Sequence, residues 1–233
     1  MRQTRKALKK YQDRKKRVKK KVIPEPIPKN ILEFVGKYRV IKGQPYSLKG
    51  REFFIQLYLD TAQQMNIVKA RQMGATEFAM NWLFFHLLTH PGTCGLYVTD
   101  REDHVLVFAD RIREAIHSSE KLKSWINRVT NESVKFVNGS ILYMITGWGK
   151  FEKARSYPVD FSVVDEVQSL DLEGLPVLKE TMSASPHKRL ILIGTGSDQG
   201  DLWWDEWHLG TRHEWTVPHD VEPRSQVHAA GIG

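Results

Sequence analysis

The sequence has 233 residues, 41% hydrophobic and 27% charged, with a formal net charge of +8 and a single cysteine, Cys94. That size and composition suit one globular domain with appendages and exclude two full domains, a disulfide framework and a chain disordered throughout. The basic N-terminus lacks the apolar core of a secretory leader, and the longest apolar stretch, residues 82–88, is far short of the roughly 20 residues of a membrane span, so a cytosolic protein is expected.

The charge is uneven. Residues 1–21 carry twelve Lys or Arg against one acid, Asp13, a net of +11, which leaves −3 for the remainder. Such an arm is drawn to any polyanion with salt-sensitive, sequence-blind affinity; a solvated tail is the alternative, and both stay open. Pro24, Pro26 and Pro28 then mark a stiff linker. The expected division is a basic arm and linker over 1–29, a folded domain over 30–210 and a C-terminal tail over 211–233.

Within the domain, residues 51–64 place Phe54, Leu57, Tyr58 and Thr61 at helical spacing. Four apolar runs follow, Ile67-Val68, 96–98, 161–164 and 190–193, without the polar alternation of a half-exposed sheet. They predict parallel strands covered on both faces. Residues 76–88 are apolar nearly all round, as in a helix buried against a sheet. Thr99 and Glu102 have capping-box spacing ahead of a helical pattern through Val105, Phe108, Ala109, Ile112 and Ile116. Asn138-Gly139 between two strand-like runs predicts a hairpin over 133–145. The expected fold class is therefore α/β, a mainly parallel sheet flanked by helices with a small β-hairpin annex.

The stretch "NIVKARQMGATEFAM", residues 66–80, carries the first chemistry. A phosphate-binding loop needs curled backbone amides, a helix N-terminus, a hydroxyl for Mg²⁺ and one lysine on the β- and γ-phosphates. Gly74 permits close backbone approach, and Thr76 stands where the hydroxyl belongs. Ala75, however, occupies the usual lysine position, whereas Lys69 opens the loop. Both ends of such a loop lie beside the phosphates, so the flexible lysine can serve from either. A plain glycine turn beside a surface lysine is the bland alternative.

About ninety residues later, an apolar run ends in Asp165-Glu166. Adjacent carboxylates at the end of a buried strand are costly unless they meet a cation or a reaction. In nucleotide hydrolases the first holds Mg²⁺ and the second deprotonates the attacking water. Arg155, on an exposed polar stretch, and Arg71, inside the loop, are competing candidates to neutralise charge on the γ-phosphate. Thr195, between two glycines after the fourth strand, is placed to sense the nucleotide state. Trp203, Trp204 and Trp207 read as packing, Cys94 as a small buried residue, and His208, His213 and His219 as solvated side chains.

In this order, "KARQMGAT", an arginine, "VVDE" and "IGTGS" with "GDLWW" resemble the ATPase domain of the large terminase subunit, the DNA-packaging motor of tailed phages and herpesviruses, over about residues 45–210. The resemblance implies a P-loop ATPase of the additional-strand, catalytic-glutamate type. It implies ATP phosphates held by Lys69, Ala70, Arg71, Gln72, Met73, Gly74, Ala75 and Thr76, Mg²⁺ held by Thr76 and Asp165, Glu166 as catalytic base and Thr195 as coupling residue. In some members of the family the loop lysine is shifted to the loop's start, as Lys69 is here. Arg71 matches an arginine acting within a subunit and Arg155 one offered to the next subunit's site, although Ser156 replaces a frequent glycine. Tyr46 and Arg51 lie where the family contacts adenine.

The implied partners are double-stranded DNA, the portal protein, the small terminase subunit and further copies of the chain in a ring, with a monomer in isolation. The implied setting is the host cytoplasm during virion assembly. Full terminases continue into a nuclease, for which the 23 residues after Gly210 are too few, so ATP hydrolysis without DNA cleavage is expected. Two rival readings remain. One is a helicase-like P-loop ATPase, disfavoured by the lack of length for a second lobe; the other is a non-hydrolysing docking module in which Ala75 reports lost catalysis.

Overall fold

Chain segments that hold their own apolar runs between helical patterns fold into one sheet in the computed structural model, which describes residues 25–214. Expectations placed on the basic arm, and on the tail from residue 215 onward with His219, lie outside the described residues. Helix α1 (Ile31–Tyr38) is capped by the Asn30 side chain, which accepts from the amides of Leu32 and Glu33. A two-stranded ribbon of β1 (Val40–Ile41) and β2 (Gln44–Pro45) and the short helix α2 (Phe53–Leu59) follow. The seven-stranded sheet comprises β3 (Gln64–Val68), β4 (Cys94–Thr99), β5 (Ile126–Val129), β6 (Ser133–Phe136), β7 (Ile141–Thr146), β8 (Phe161–Asp165) and β9 (Arg189–Gly194). Their spatial order is β3-β9-β8-β4-β7-β6-β5.

The five strands from β3 to β7 in that order run parallel, and β6 and β5 continue antiparallel from β7. Strand β9 lies between β3, which leads into the loop, and β8, which ends in Asp165, so this is the additional strand that the sequence resemblance implied. Both faces are covered, as the unalternated runs required. Along β4, Tyr97 enters one core with α3 (Ala75–Thr89), α4 (Glu102–His117) and Leu122 of α5 (Glu120–Ser124), while Leu96 and Val98 enter the other with α6 (Leu175–Thr181) and Trp203 of α7 (Leu202–His208).

Three local expectations are corrected. Helix α2 ends at Leu59 with Asp60 as C-cap, so Thr61 lies in the exposed connection to β3, which starts three residues later. Helix α4 begins at Glu102 with Arg101 at its N-cap, so Thr99 closes β4 and no capping box forms. In the hairpin turn only Gly139 is left-handed, at φ 87°. The Asn138 amide instead donates to the carbonyls of Leu87 and Leu88, at 2.9 and 3.2 Å, closing the last turn of α3. The expected hairpin itself forms, β6 pairing antiparallel with β7, and it joins the main sheet because β7 pairs along its length with β4.

One buried ionic cluster ties the front of the domain to α3. Arg39, 1% exposed, donates through Nε to Asn81 and through Nη2 to Glu77, both at 2.5 Å, while Arg111 reaches Glu77 at 3.4 Å. Glu77 belongs to the first turn of α3, where its charge also suits the helix dipole. A buried guanidinium is tolerable only with such partners.

At the opposite end of α3, His86 packs against Trp82 and Phe161, with Arg189 Nη1 3.3 Å from its Nε2. Burial, then Arg189 and His90, lowers its pKa to about 3. The folded state therefore keeps this ring neutral, while the unfolded chain takes up a proton below about pH 6.5. Stability is complete above that pH and is lost as pH falls towards 3, at up to about 1.4 kcal/mol per pH unit. Thermal melts from pH 7.5 to 5 are expected to show this decline, and His86→Phe is expected to flatten it.

Candidate nucleotide site

The loop 69–74 leaves the carboxyl end of β3 and turns into α3 through Gly74, whose φ of 87° suits glycine. A β-carbon at Gly74 would also lie 3.3 Å from Arg51 Nη1, so the guanidinium rests directly against the loop. The first helix amide with an intrahelical acceptor is that of Phe78, which donates to Gly74 O. The amides ahead of it form the donor-rich N-terminus that anions favour.

Lys69 reaches the acidic strand end, whereas Ala75 does not. Its backbone amide is pinned to Gly194 O at 2.9 Å, and its side chain crosses β9 to bring Nζ within 3.3 Å of Glu166 Oε1. Lys69 thus lies between the loop and the acidic strand end. Ala75 itself is packed in the core.

At the end of β8, Asp165 Oδ2 accepts from Thr76 Oγ1 at 3.3 Å and from Tyr97 OH at 3.0 Å, while Oδ1 accepts from the Glu166 amide at 3.0 Å. Burial pushes the Asp165 carboxyl up, partly offset by Lys69 and by the Tyr97 hydroxyl. Burial likewise pushes the Tyr97 phenol up, so it stays a neutral donor. Glu166 takes a left-handed conformation at φ 57°, a strained geometry for a non-glycine residue and one that concentrates at functional sites. Its Oε2 accepts from Gln168 Nε2 at 2.7 Å. Gln168 Oε1 in turn accepts from the Thr195 amide at 3.0 Å, and Thr195 O accepts from Trp203 Nε1 at 2.9 Å.

The structure thus brings Lys69, Thr76, Asp165, Glu166 and Thr195 to one sheet edge. Tyr46 is buried near the same loop; burial raises its phenol pKa, with Arg51 the leading opposing influence. Arg71 is exposed on the loop. Arg155 is not part of the cluster: it follows β7, four strands from β3, and pairs with Glu152 at 2.7 and 3.3 Å. Trp203 is buried and, with Trp204 and Trp207, lines a cavity of about 710 Å³ together with Val68, Gly196 and Ser197. The Cys94 thiol is pushed up to about 12 by burial and then by Asp160, which makes it inert. Among the described residues no group of three or more His, Cys, Asp or Glu is placed to hold a metal, and no helix is long and apolar enough to cross a membrane.

Tyr97 and Gln168 were missed by sequence reasoning. The signal for Tyr97 was a hydroxyl inside an aliphatic buried strand, which needs a partner. Gln168 carried no signal.

The fold is shared with solved phage proteins. The large terminase ATPase domain of Thermus phage P74-26 is 16% identical, with a TM-score of 0.60 over 82% of this chain and 78% of that one. The HK97 bacteriophage large terminase is 15% identical, with a TM-score of 0.68 over 83% of this chain but only 44% of its own length. The UvsW helicase of bacteriophage T4, 10% identical, aligns at 0.52 over 79% of this chain and 66% of that chain. No curated relative matches the sequence. Residues 42–219 match the family described as the ATPase domain of the phage terminase large subunit gpA, and the chain belongs to that family.

Proposed function

We propose that residues 69–76, with Asp165 and Glu166, bind and hydrolyse ATP to drive double-stranded DNA into a procapsid. The observation that carries this reading is the meeting of loop and acidic strand: Lys69 Nζ 3.3 Å from Glu166, and Thr76 Oγ1 3.3 Å from Asp165. Thr76 and Asp165 are hard oxygen donors side by side, the set that Mg²⁺ takes while keeping several waters. When bound there, the metal neutralises charge developing on the β- and γ-phosphates.

The chain's own groups do the rest. Loop amides and the α3 N-terminus hold the phosphates, and Lys69 transfers from Glu166 to the γ-phosphate oxygens. That transfer uncovers Glu166, which takes a proton from the attacking water. Arg51 and Tyr46 border the base end of the site, and Thr195 reports the state of the site to α7.

Arg155 fits a neighbour's site better than its own. In its own chain the Arg155 guanidinium sits on the 3₁₀ turn Glu152–Ser156 and pairs with Glu152 at 2.7 and 3.3 Å, not with the loop or the acidic strand end. Arg71 is then the arginine that serves its own loop. Mixing Arg155→Ala with Glu166→Ala chains is expected to give faster ATP turnover than either alone, because an Arg155→Ala copy keeps its base and borrows the arginine. A mixture no faster than the mean of its parts would remove the trans role. Turnover that rises with protein concentration and with duplex DNA supports the motor; nucleotide binding with no phosphate release under those conditions would instead favour a docking module. Portal protein and small terminase subunit complete the machine in this reading.

A further inference from the structure

We propose that Gln168 is a positioning residue for hydrolysis, a side-chain bridge that holds the Glu166 carboxylate and the Thr195 turn in one fixed relation. The inference rests on the hydrolytic reading above and names a residue that reading does not use.

Glu166 has two holds. One oxygen faces Lys69 at 3.3 Å, the other Gln168 Nε2 at 2.7 Å. Hydrolysis needs Lys69 on the phosphates, so the first hold is released when nucleotide arrives. Gln168 is the hold that remains. The direction of its amide follows from its neighbours: the Thr195 N–H can only donate, so Oε1 faces it at 3.0 Å, and the Glu166 carboxylate can only accept, so Nε2 faces that side.

The bridge has no slack. Gln168 sits in the 3₁₀ turn Val167–Ser169, anchored by the fully buried Val167. A β-carbon at Gly194 would lie 2.8 Å from Gln168 Oε1 and 3.0 Å from Trp203 Nε1, so only glycine lets β9 close on both groups. Trp203 Nε1 fixes the far side of the turn through Thr195 O at 2.9 Å. Any displacement of Thr195 therefore moves the Glu166 carboxylate, and with it the water that Glu166 would activate. A glutamine has the two unlike ends this requires; neither glutamate nor methionine does.

The test compares the full chain with Gln168→Glu and Gln168→Met. Glutamate keeps an acceptor for the Thr195 amide but no donor for Glu166; methionine keeps neither. Both variants are expected to lose about tenfold to a hundredfold in kcat, less than the ~10²–10⁴ of a general base itself. Affinity for a fluorescent non-hydrolysable ATP analogue, and the melting temperature of Gln168→Glu, are expected to stay near the parent's. Parent-like kcat in Gln168→Glu would overturn the proposal, since Gln168 would then only support the turn; so would a loss confined to nucleotide affinity. A parent chain that binds the analogue but never releases phosphate overturns the hydrolytic reading and this assignment together, whereas an active parent beside parent-like variants overturns the assignment alone.

Discussion

Lys69→Ala is expected to weaken binding of an ATP analogue by about tenfold to a hundredfold and to bring turnover below detection. Charge-assisted hydrogen bonds contribute about 1.5–3 kcal/mol each, and about 1.4 kcal/mol is tenfold in affinity. The lysine side chain is only 13% exposed and its ammonium lies 3.3 Å from Glu166, so under the proposed function its removal takes away the cation shared by phosphates and base. Titration with a fluorescent analogue, alongside phosphate release at saturating ATP, checks both halves of the expectation. Unchanged binding would mean that the ammonium stays on Glu166 when nucleotide arrives, and the relocated-lysine account of the loop would fail. Lys69→Arg is expected to recover binding before turnover, because a planar fork and a compact ammonium place charge differently on a phosphate.

The features legible in the sequence were those written in contiguous residues. Apolar runs at β4, β8 and β9 announced themselves because a strand buried on both faces needs no alternation. "KARQMGAT" and the Asp165-Glu166 pair were readable because a phosphate cradle and a strand-end acid pair each depend on neighbours along the chain. What stayed hidden depends on residues far apart. Arg39 meets Glu77 and Asn81 across roughly forty positions, and Tyr97 meets Asp165 across 68, inside runs whose periodicity records only that they are apolar. Gln168 carries no signal in its own stretch of chain, because its partner Thr195 is brought beside it only by β9.

Local rules failed where tertiary contacts outbid them. Asn138 left the usual two-residue hairpin geometry because its amide closes the end of α3. Thr99 did not cap α4 because β4 extends through it to pair with Thr146. The same competition explains why the site was half visible: the groups proposed to meet phosphate lie in motifs, and the groups that hold them in place do not.

Glu166→Gln separates binding from chemistry. Turnover is expected to fall by about 10²–10⁴, the range a positioned general base supplies. Binding of the ATP analogue is expected to hold or tighten, because the carboxylate that now competes with phosphate for Lys69 is gone. The signs are thus opposite to those of Lys69→Ala in affinity and alike in rate, a pattern that loss of folding cannot produce. In the double variant the loss of affinity should match that of Lys69→Ala alone and so exceed the sum of the two opposite changes, because with no lysine to free, Glu166→Gln brings no gain; the two groups are partners at 3.3 Å. Phosphate release by Glu166→Gln at the parent rate would take water activation away from this residue. Its carboxylate would then serve only to hold Lys69 beside the loop, and the left-handed backbone that aims it would need another reason.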